Sequence, residues 1–207
     1  MRRGVYERRV FPWLNDLCGK APALQELRRD TLAATTGRVI EIGFGSGANL
    51  PYYGTGVISV TGIEPNDGMI ERARLRRRAF GRSVHIVGAA AENLPFSDGT
   101  FDTGVTTLTL CSVASPSTVL AELHRVLRSG GALFVLEHGL APAPAVARWQ
   151  QRLNRLQQFV ACGCNLNRPM TSLVTDAGFR FETLRTFQAP GVPRPLGWIT
   201  AGRAMRT

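Results

Sequence analysis

The sequence predicts an α/β protein built on a doubly wound, mostly parallel sheet. Three observations carry that expectation. Short apolar runs alternate with amphipathic stretches from Gly37 onward, the cluster Gly43-Phe44-Gly45-Ser46-Gly47 follows the first run, and an acid, Glu64, closes the second. Strands that alternate with helices pair in parallel, because each helix returns the chain to the same end of the sheet.

Two helices are expected ahead of the sheet. Tyr6, Val10, Trp13, Leu14 and Leu17 fall at helical spacing, with core packing expected for Tyr6 and Trp13 rather than closure of a pocket, and a second helix is expected over Pro22 to Ala34. The first strand ends at Ile42, and a helix is expected from about Ala48. Then follow strand 57–63, helix 67–80, strand 84–87, a loop, strand 101–107, helix 117–127 and strand 132–137. Beyond Pro142 and Pro144, Val146, Trp149, Leu153, Leu156 and Val160 recur at three- and four-residue steps with Arg148, Arg152 and Arg155 between them. This reads as an amphipathic helix inserted after the fifth strand, expected to pack across the sheet edge or over the site in preference to lying on a membrane surface. A helix over Met170 to Ala177 stops at Gly178, and strands near 181–187 and 198–203 bring the total to seven. One domain is expected, with residues 1–36 as a helical lid, 37–137 as a cofactor-binding core and 138–207 as acceptor-side helices and closing strands.

At 207 residues, with 44% hydrophobic and 19% charged residues, the composition is that of a soluble globular protein. No apolar run approaches the length of a membrane span and no signal peptide is read at the start, so a cytoplasmic location is expected. The net charge of +10 is almost all arginine, Lys20 being the one lysine. Its densest part, Arg72, Arg74, Arg76, Arg77, Arg78 and Arg82, lies on a helix whose Ile70, Ala73 and Phe80 share a face, and the arginines point in several other directions. A solvated helix surface is expected there, not a phosphate-reading stripe, and no aromatic-interleaved basic stretch supports a nucleic-acid partner. The cysteines, Cys18, Cys111, Cys162 and Cys164, match no zinc spacing; free thiols are expected, and no metal.

The glycine cluster narrows the cofactor. Glycines without Cβ atoms let the chain turn tightly at a strand end and approach a ligand, and an acid at the tip of the next strand can accept two hydrogen bonds from a ribose diol. Glu64, followed by Pro65, occupies that tip. A dinucleotide fingerprint runs G-x-G-x-x-G, whereas Gly43, Gly45 and Gly47 give G-x-G-x-G with Ala48 in the usual third place. Glu41 leads the loop; it would repel a pyrophosphate and could attract, directly or through water, the ammonium of a methionine moiety. S-adenosylmethionine fits this pattern better than NAD.

Further along, Ala91-Glu92-Asn93-Leu94-Pro95-Phe96, then Asp98, Thr100-Phe101-Asp102, resembles the A-E-x-L-P-F-x-D-x-[ST]-F-D segment of class I S-adenosylmethionine-dependent methyltransferases. With the glycine loop, Glu64 and Arg125-Val126-Leu127-Arg128-Ser129-Gly130-Gly131, the resemblance covers roughly residues 37 to 137 and implies a seven-stranded Rossmann-like fold and S-adenosylhomocysteine as product. It also implies Ala91 and Glu92 as adenine contacts, although Ala90 stands where many members carry aspartate. A narrower resemblance, to methyltransferase-like proteins that methylate alkyl thiols, rests on Thr107-Leu108-Thr109-Leu110-Cys111-Ser112-Val113, Glu137-His138 and Gly163-Cys164-Asn165-Leu166-Asn167-Arg168. It implies Leu108 beside the cofactor and a small, mostly apolar thiol as acceptor. On that reading His138 could take the thiol proton and Arg168 could stabilise the anion, with Asn165 in the same segment. Each has a structural alternative: a histidine packed after a strand, an arginine capping a turn, an asparagine stabilising one. Cys111 is expected to pack beside the cofactor rather than act as a nucleophile. The sheet motifs leave open O-, N- or C-methylation of a quinone, phenol or lipid, and the charge leaves an RNA-modifying role as the reading from another class.

Overall fold

A computed structural model describes residues 4, 10–19, 21–161 and 163–207; Tyr6, Lys20 and Cys162 lie outside them. Two helices, α1 (Phe11–Cys18) and α2 (Pro22–Leu32), precede β1 (Gly37–Ile42), β2 (Val57–Ile63), α3 (Asp67–Arg76) and β3 (Ser83–Val87). Then come β4 (Phe101–Thr107), α4 (Pro116–Val126), β5 (Leu127–His138), α5 (Pro144–Val160), α6 (Met170–Asp176), β6 (Phe179–Gln188) and β7 (Trp198–Arg206). The strands form one seven-stranded sheet in the order β3-β2-β1-β4-β5-β7-β6. Strands β1 to β5 pair in parallel, and β7 runs antiparallel between β5 and β6.

The order reverses between β1 and β4, and at such a switch point the loops leaving the two strands diverge and open a crevice. Period-two alternation sorts the strand residues onto two faces. Ile40, Ile42, Leu133 and Val135 pack with Leu120 and Leu123 of α4 and with Val174 of α6, whereas Val39, Val105 and Phe134 pack with Leu32 of α2 and Ala73 of α3. Both faces are covered, as a parallel sheet requires.

Local chemistry fixes the helix starts near the site. Asn66 accepts from the backbone N–H groups of Gly68 at 2.9 Å and Met69 at 3.2 Å, capping α3, and Ser115 followed by Pro116 opens α4. Arg125, near the end of α4, donates to the carbonyls of Leu94 and Phe96, to Asp98 and to Glu122, while Glu122 accepts from Leu94 N–H. One guanidinium thereby satisfies the backbone of the Leu94-Pro95-Phe96 turn.

Four expectations are corrected. No α-helix begins near Ala48: the chain forms a single 3₁₀ turn, Leu50–Tyr52. Pro51 supplies no N–H donor and disfavours the α conformation at Leu50, and Gly54 and Gly56 follow at once. Val10, Trp13 and Leu17 of the N-terminal segment are exposed rather than core, Trp13 by 55%. The arginine-rich helix is more than a solvated surface, because Arg72 and Arg76 donate to Asp16 of α1 at 2.8 and 3.0 Å, and Arg76 also bonds Ser46 of the glycine loop. Helix α5 departs from the expected apolar stripe: Trp149, Leu156, Phe159 and Val160 are exposed, and Gln150 and Asn154 face inward beside the half-buried Val146 and Leu153. Gln150, buried, bridges Gly139 O and Ala141 N–H, and Asn154 accepts from Leu166 N–H at 2.8 Å. The loops beneath α5 need polar partners for their backbone, and the amides satisfy that need before apolar packing does. No helix among the described residues is long and apolar enough to cross a membrane.

Gly62 on β2 makes room for the Phe44 ring of the glycine loop; a Cβ there would overlap that ring. Gly62→Ala is therefore expected to destabilise by about 1–3 kcal/mol through overpacking. A lower urea midpoint with unchanged slope would show this.

Candidate active site

A cavity of about 420 Å³ opens at the carboxyl ends of β1, β2 and β4. Its walls are the glycine loop, the Glu64-Pro65-Asn66 turn, the Ala89-to-Glu92 loop, and the segment from Thr107 to Ala114. Gly43, Gly45, Glu41, Glu64, Pro65, Ala91, Glu92 and Leu108, the residues expected at the cofactor, all line it. Gly47 does not; it borders a smaller cavity with Asp16 and Arg76. Gly43 has φ 68°, and a Cβ there would collide with Thr109 across the crevice, so the β1 and β4 loops can meet only at a glycine.

Glu64 is 8% exposed and holds the loop in place. Its Oε2 accepts from Gly45 N–H at 2.8 Å and its Oε1 from Asn66 N–H at 2.9 Å. Burial raises its pKa, and the two backbone bonds oppose the rise. Each carboxylate oxygen keeps a lone pair for a further donor.

Glu41 is 2% exposed and accepts from Asn49 Nδ2 at 2.7 Å and from the Tyr53 hydroxyl. Burial pushes its carboxyl up to about 8, against the pull of Tyr53, Asn49 and the cationic Arg28. Two polar atoms beside it have no hydrogen-bond partner among the described residues: Asn49 Oδ1, an acceptor, and Arg28 Nε, a donor. Both residues line the cavity. A buried unpaired donor and acceptor in one wall suit a zwitterion such as an amino acid, which presents an ammonium and a carboxylate together. Neither residue was singled out from the sequence. Arg28 carried a signal, since Leu24, Arg28 and Leu32 fall at four-residue spacing and place a charge on the buried stripe of α2.

The wall beyond β4 depends on a buried carboxylate. Leu108 has φ 53°, a left-handed conformation that a branched side chain rarely takes, and its N–H donates to Leu136 O at 2.8 Å. After that bend, the N–H groups of Thr109 (2.9 Å), Leu110 (2.9 Å) and Cys111 (3.3 Å) converge on the fully buried carboxylate of Glu137. Burial raises Glu137 to about 7, the three backbone bonds opposing it.

His138, Asn165 and Arg168 lie beside this wall and do not line the cavity. Arg168 donates to the carbonyls of Leu110 and Val113, and Asn165 donates to Cys111 O at 3.0 Å and Gly163 O at 2.8 Å. Both side chains clamp the segment carrying Cys111. His138 Nδ1 stands 3.6 Å from Cys164 Sγ, which is 3.5 Å from Cys111 Sγ; both thiols are free and buried. The cysteine spacing gave no hint of this cluster. Contact with Cys111 and the His138 imidazole holds the Cys164 thiol well below its usual range, while Cys111, in contact with Cys164 and buried, is pushed up. Burial would lower His138, but Cys164 and Glu137 outweigh it and the net shift is upward.

A glycine loop, a buried acid at the tip of the second strand and a crevice at the switch point define a doubly wound enzyme that binds a nucleoside cofactor. A methyltransferase-domain family matches residues 40–135. The chain is 33% identical over 177 residues to thiol S-methyltransferase TMT1B of Homo sapiens, covering 83% of this chain and 70% of that protein. It is 35% identical over 135 residues to a phosphatidylethanolamine N-methyltransferase of Cereibacter sphaeroides, covering 63% of this chain and 66% of that one. Among solved structures, a SAM-dependent methyltransferase of Thermotoga maritima, described as a possible histamine N-methyltransferase, superposes with a TM-score of 0.69 at 24% identity, covering 98% and 99% of the two chains. The chain belongs to the class I S-adenosylmethionine-dependent methyltransferases.

The raised pKa of Glu41 has a definite sign in stability. The unfolded chain loses this proton near 4.5 and the folded chain only near 8, so between those values the folded state binds more protons. Its share of stability is complete below about 4.5 and is lost as pH rises toward 8. The melting temperature of the cofactor-free protein is expected to fall between pH 5 and 8 more steeply in the wild type than in Glu41→Gln, as scanning calorimetry would read.

Proposed function

We propose that the enzyme transfers the methyl group of S-adenosylmethionine to a small, mostly apolar thiol. The observation that supports this acceptor most is the likeness to a thiol S-methyltransferase, which runs over 83% of the chain and so includes the segments after β5 as well as the cofactor core. In this reading the N-terminal helices, within residues 1–36, form the lid, and residues 138–207 shape the acceptor side.

When bound, the cofactor supplies an activated methyl group on a sulfonium. Glu64 accepts the ribose hydroxyls, and the Ala91 and Glu92 loop holds the adenine. Asn49 Oδ1 and Glu41 receive the ammonium, and Arg28 Nε meets the carboxylate. Direct transfer demands orientation and exclusion of water rather than a covalent intermediate, and such positioning can supply roughly 7–11 kcal/mol. Glu137, Asn165 and Arg168 act as positioning residues: they fix the segment whose Thr109, Ser112 and Val113 line the cavity. His138 is engaged with Cys164, so a thiol acceptor near its ordinary pKa of about 8.5 contributes its own thiolate fraction at neutral pH.

A second reading, methylation of the amine headgroup of a lipid, is favoured by the outer face of α5, where Trp149, Leu156 and Phe159 are exposed beside Arg148, Arg152 and Arg155. Incubation with methyl-labelled cofactor and separate small apolar thiols, phenols, quinones, phosphatidylethanolamine vesicles and RNA separates the readings. Labelled thioether is expected; label confined to lipid, quinone or RNA would overturn the thiol assignment. Glu64→Ala and Arg28→Met are each expected to weaken S-adenosylhomocysteine binding by about 1–3 kcal/mol in calorimetric titration. Unchanged affinity would remove that residue from the cofactor site.

A further inference from the structure

Cys111, His138 and Cys164 come from three separate places, the segment after β4, the end of β5 and the loop before α6, yet their ligating atoms all lie within 4.8 Å of one another. A tetrahedral ion with bonds of about 2.3 Å to sulfur and about 2.0–2.1 Å to nitrogen needs sulfurs about 3.7–3.8 Å apart and sulfur to nitrogen about 3.5–3.6 Å. The measured Cys111–Cys164 and Cys164–His138 separations are 3.5 and 3.6 Å. Little movement converts the cluster into three corners of a tetrahedron.

The ligand-bearing segments are also fixed by bonds that leave the ligand atoms free. Cys111 is held through its own N–H by Glu137 and through its carbonyl by Asn165. Leu110 and Val113, on either side, are held by Arg168. Cys164 N–H donates to Ala161 O at 3.1 Å. Such fixed outer bonds are what orient ligands in metal sites. Charge supports the same conclusion: a divalent cation, two thiolates and a neutral imidazole sum to zero, the arrangement least costly to bury.

We propose that Cys111, Cys164 and His138 Nδ1 form a binding site for a thiophilic divalent cation of the zinc class. The two thiols lose their protons to solvent, both sulfurs and the imidazole lone pair bond the ion, and a fourth position remains for water or another ligand. Ser112 and Val113, which follow Cys111, line the cofactor cavity, so the ion would sit behind its wall. The site stands apart from the identity of the methyl acceptor.

Titration of the fully reduced full-length protein with Co²⁺ under anaerobic conditions tests this directly. The expected result is saturation at one equivalent, with thiolate-to-cobalt absorption and the intense visible bands of four-coordinate cobalt, abolished by Zn²⁺. Cys111→Ser and Cys164→Ser should each lower Zn²⁺ affinity at least about tenfold. Should these variants fail to fold, proton release from the wild type decides the matter, with about two protons expected per Zn²⁺. Absence of a one-equivalent end point, retained affinity in both buried-cysteine variants, or release of less than one proton would overturn the proposal.

Discussion

The Glu137 carboxylate, buried at the end of β5 and receiving three consecutive backbone N–H groups, is the contact on which the cavity wall beyond β4 depends. It is one of three such groups. Glu41 at β1 and Glu64 at β2 are likewise buried acids near the carboxyl ends of their strands, each holding a loop or turn that frames the cavity. A parallel sheet gathers its strand ends on one side, where the outgoing loops leave backbone donors without partners. Glu64 and Glu137 satisfy such donors, and Glu41 holds its loop through the side chains of Asn49 and Tyr53. The cost is desolvation, visible in the upward shifts of all three carboxyls.

Much of this was legible in the sequence because its signals are local. The seven strands, the G-x-G-x-G turn and Glu64 before Pro65 each depend on neighbours a few residues apart, and all stand where the alternation of runs put them. The helix expected from Ala48 failed for a reason also present locally, Pro51, which outweighed the rhythm of the fold. What the sequence could not carry was long-range: Cys111, His138 and Cys164 meet only because β5 lies beside β4 and the loop before α6 folds back over both. The α5 helix misled through a good pattern. Of its apolar stripe Val146 and Leu153 turn inward while Trp149, Leu156 and Val160 stay exposed, and the amides of Gln150 and Asn154 share the inward side because buried loop backbone demanded them.

The division of labour in the molecule follows the sheet. Strands β1, β2 and β4 open the cavity at their carboxyl ends, and all three fall within or next to the residues that the methyltransferase-domain family matches, 40–135. The segments after β5 contribute no wall of that cavity directly; they act on it by clamping the Cys111 segment from outside, through Asn165 and Arg168. Changes in the later segments therefore reach the cavity through the Cys111 segment and leave the contacts of Glu41 and Glu64 untouched.

The mixed inward side of the α5 helix has a consequence for cooperativity. A helix attached by an apolar face shares its stability with the core, because detaching it exposes hydrophobic surface. Here side-chain amides bonded to Gly139, Ala141, Asn165 and Leu166, each bond contributing about 0.5–1.5 kcal/mol, share the attachment with the half-buried Val146 and Leu153. Opening that replaces those bonds with water costs only a few kcal/mol and leaves both faces of the sheet covered. A helix held in this way is expected to open before the sheet does.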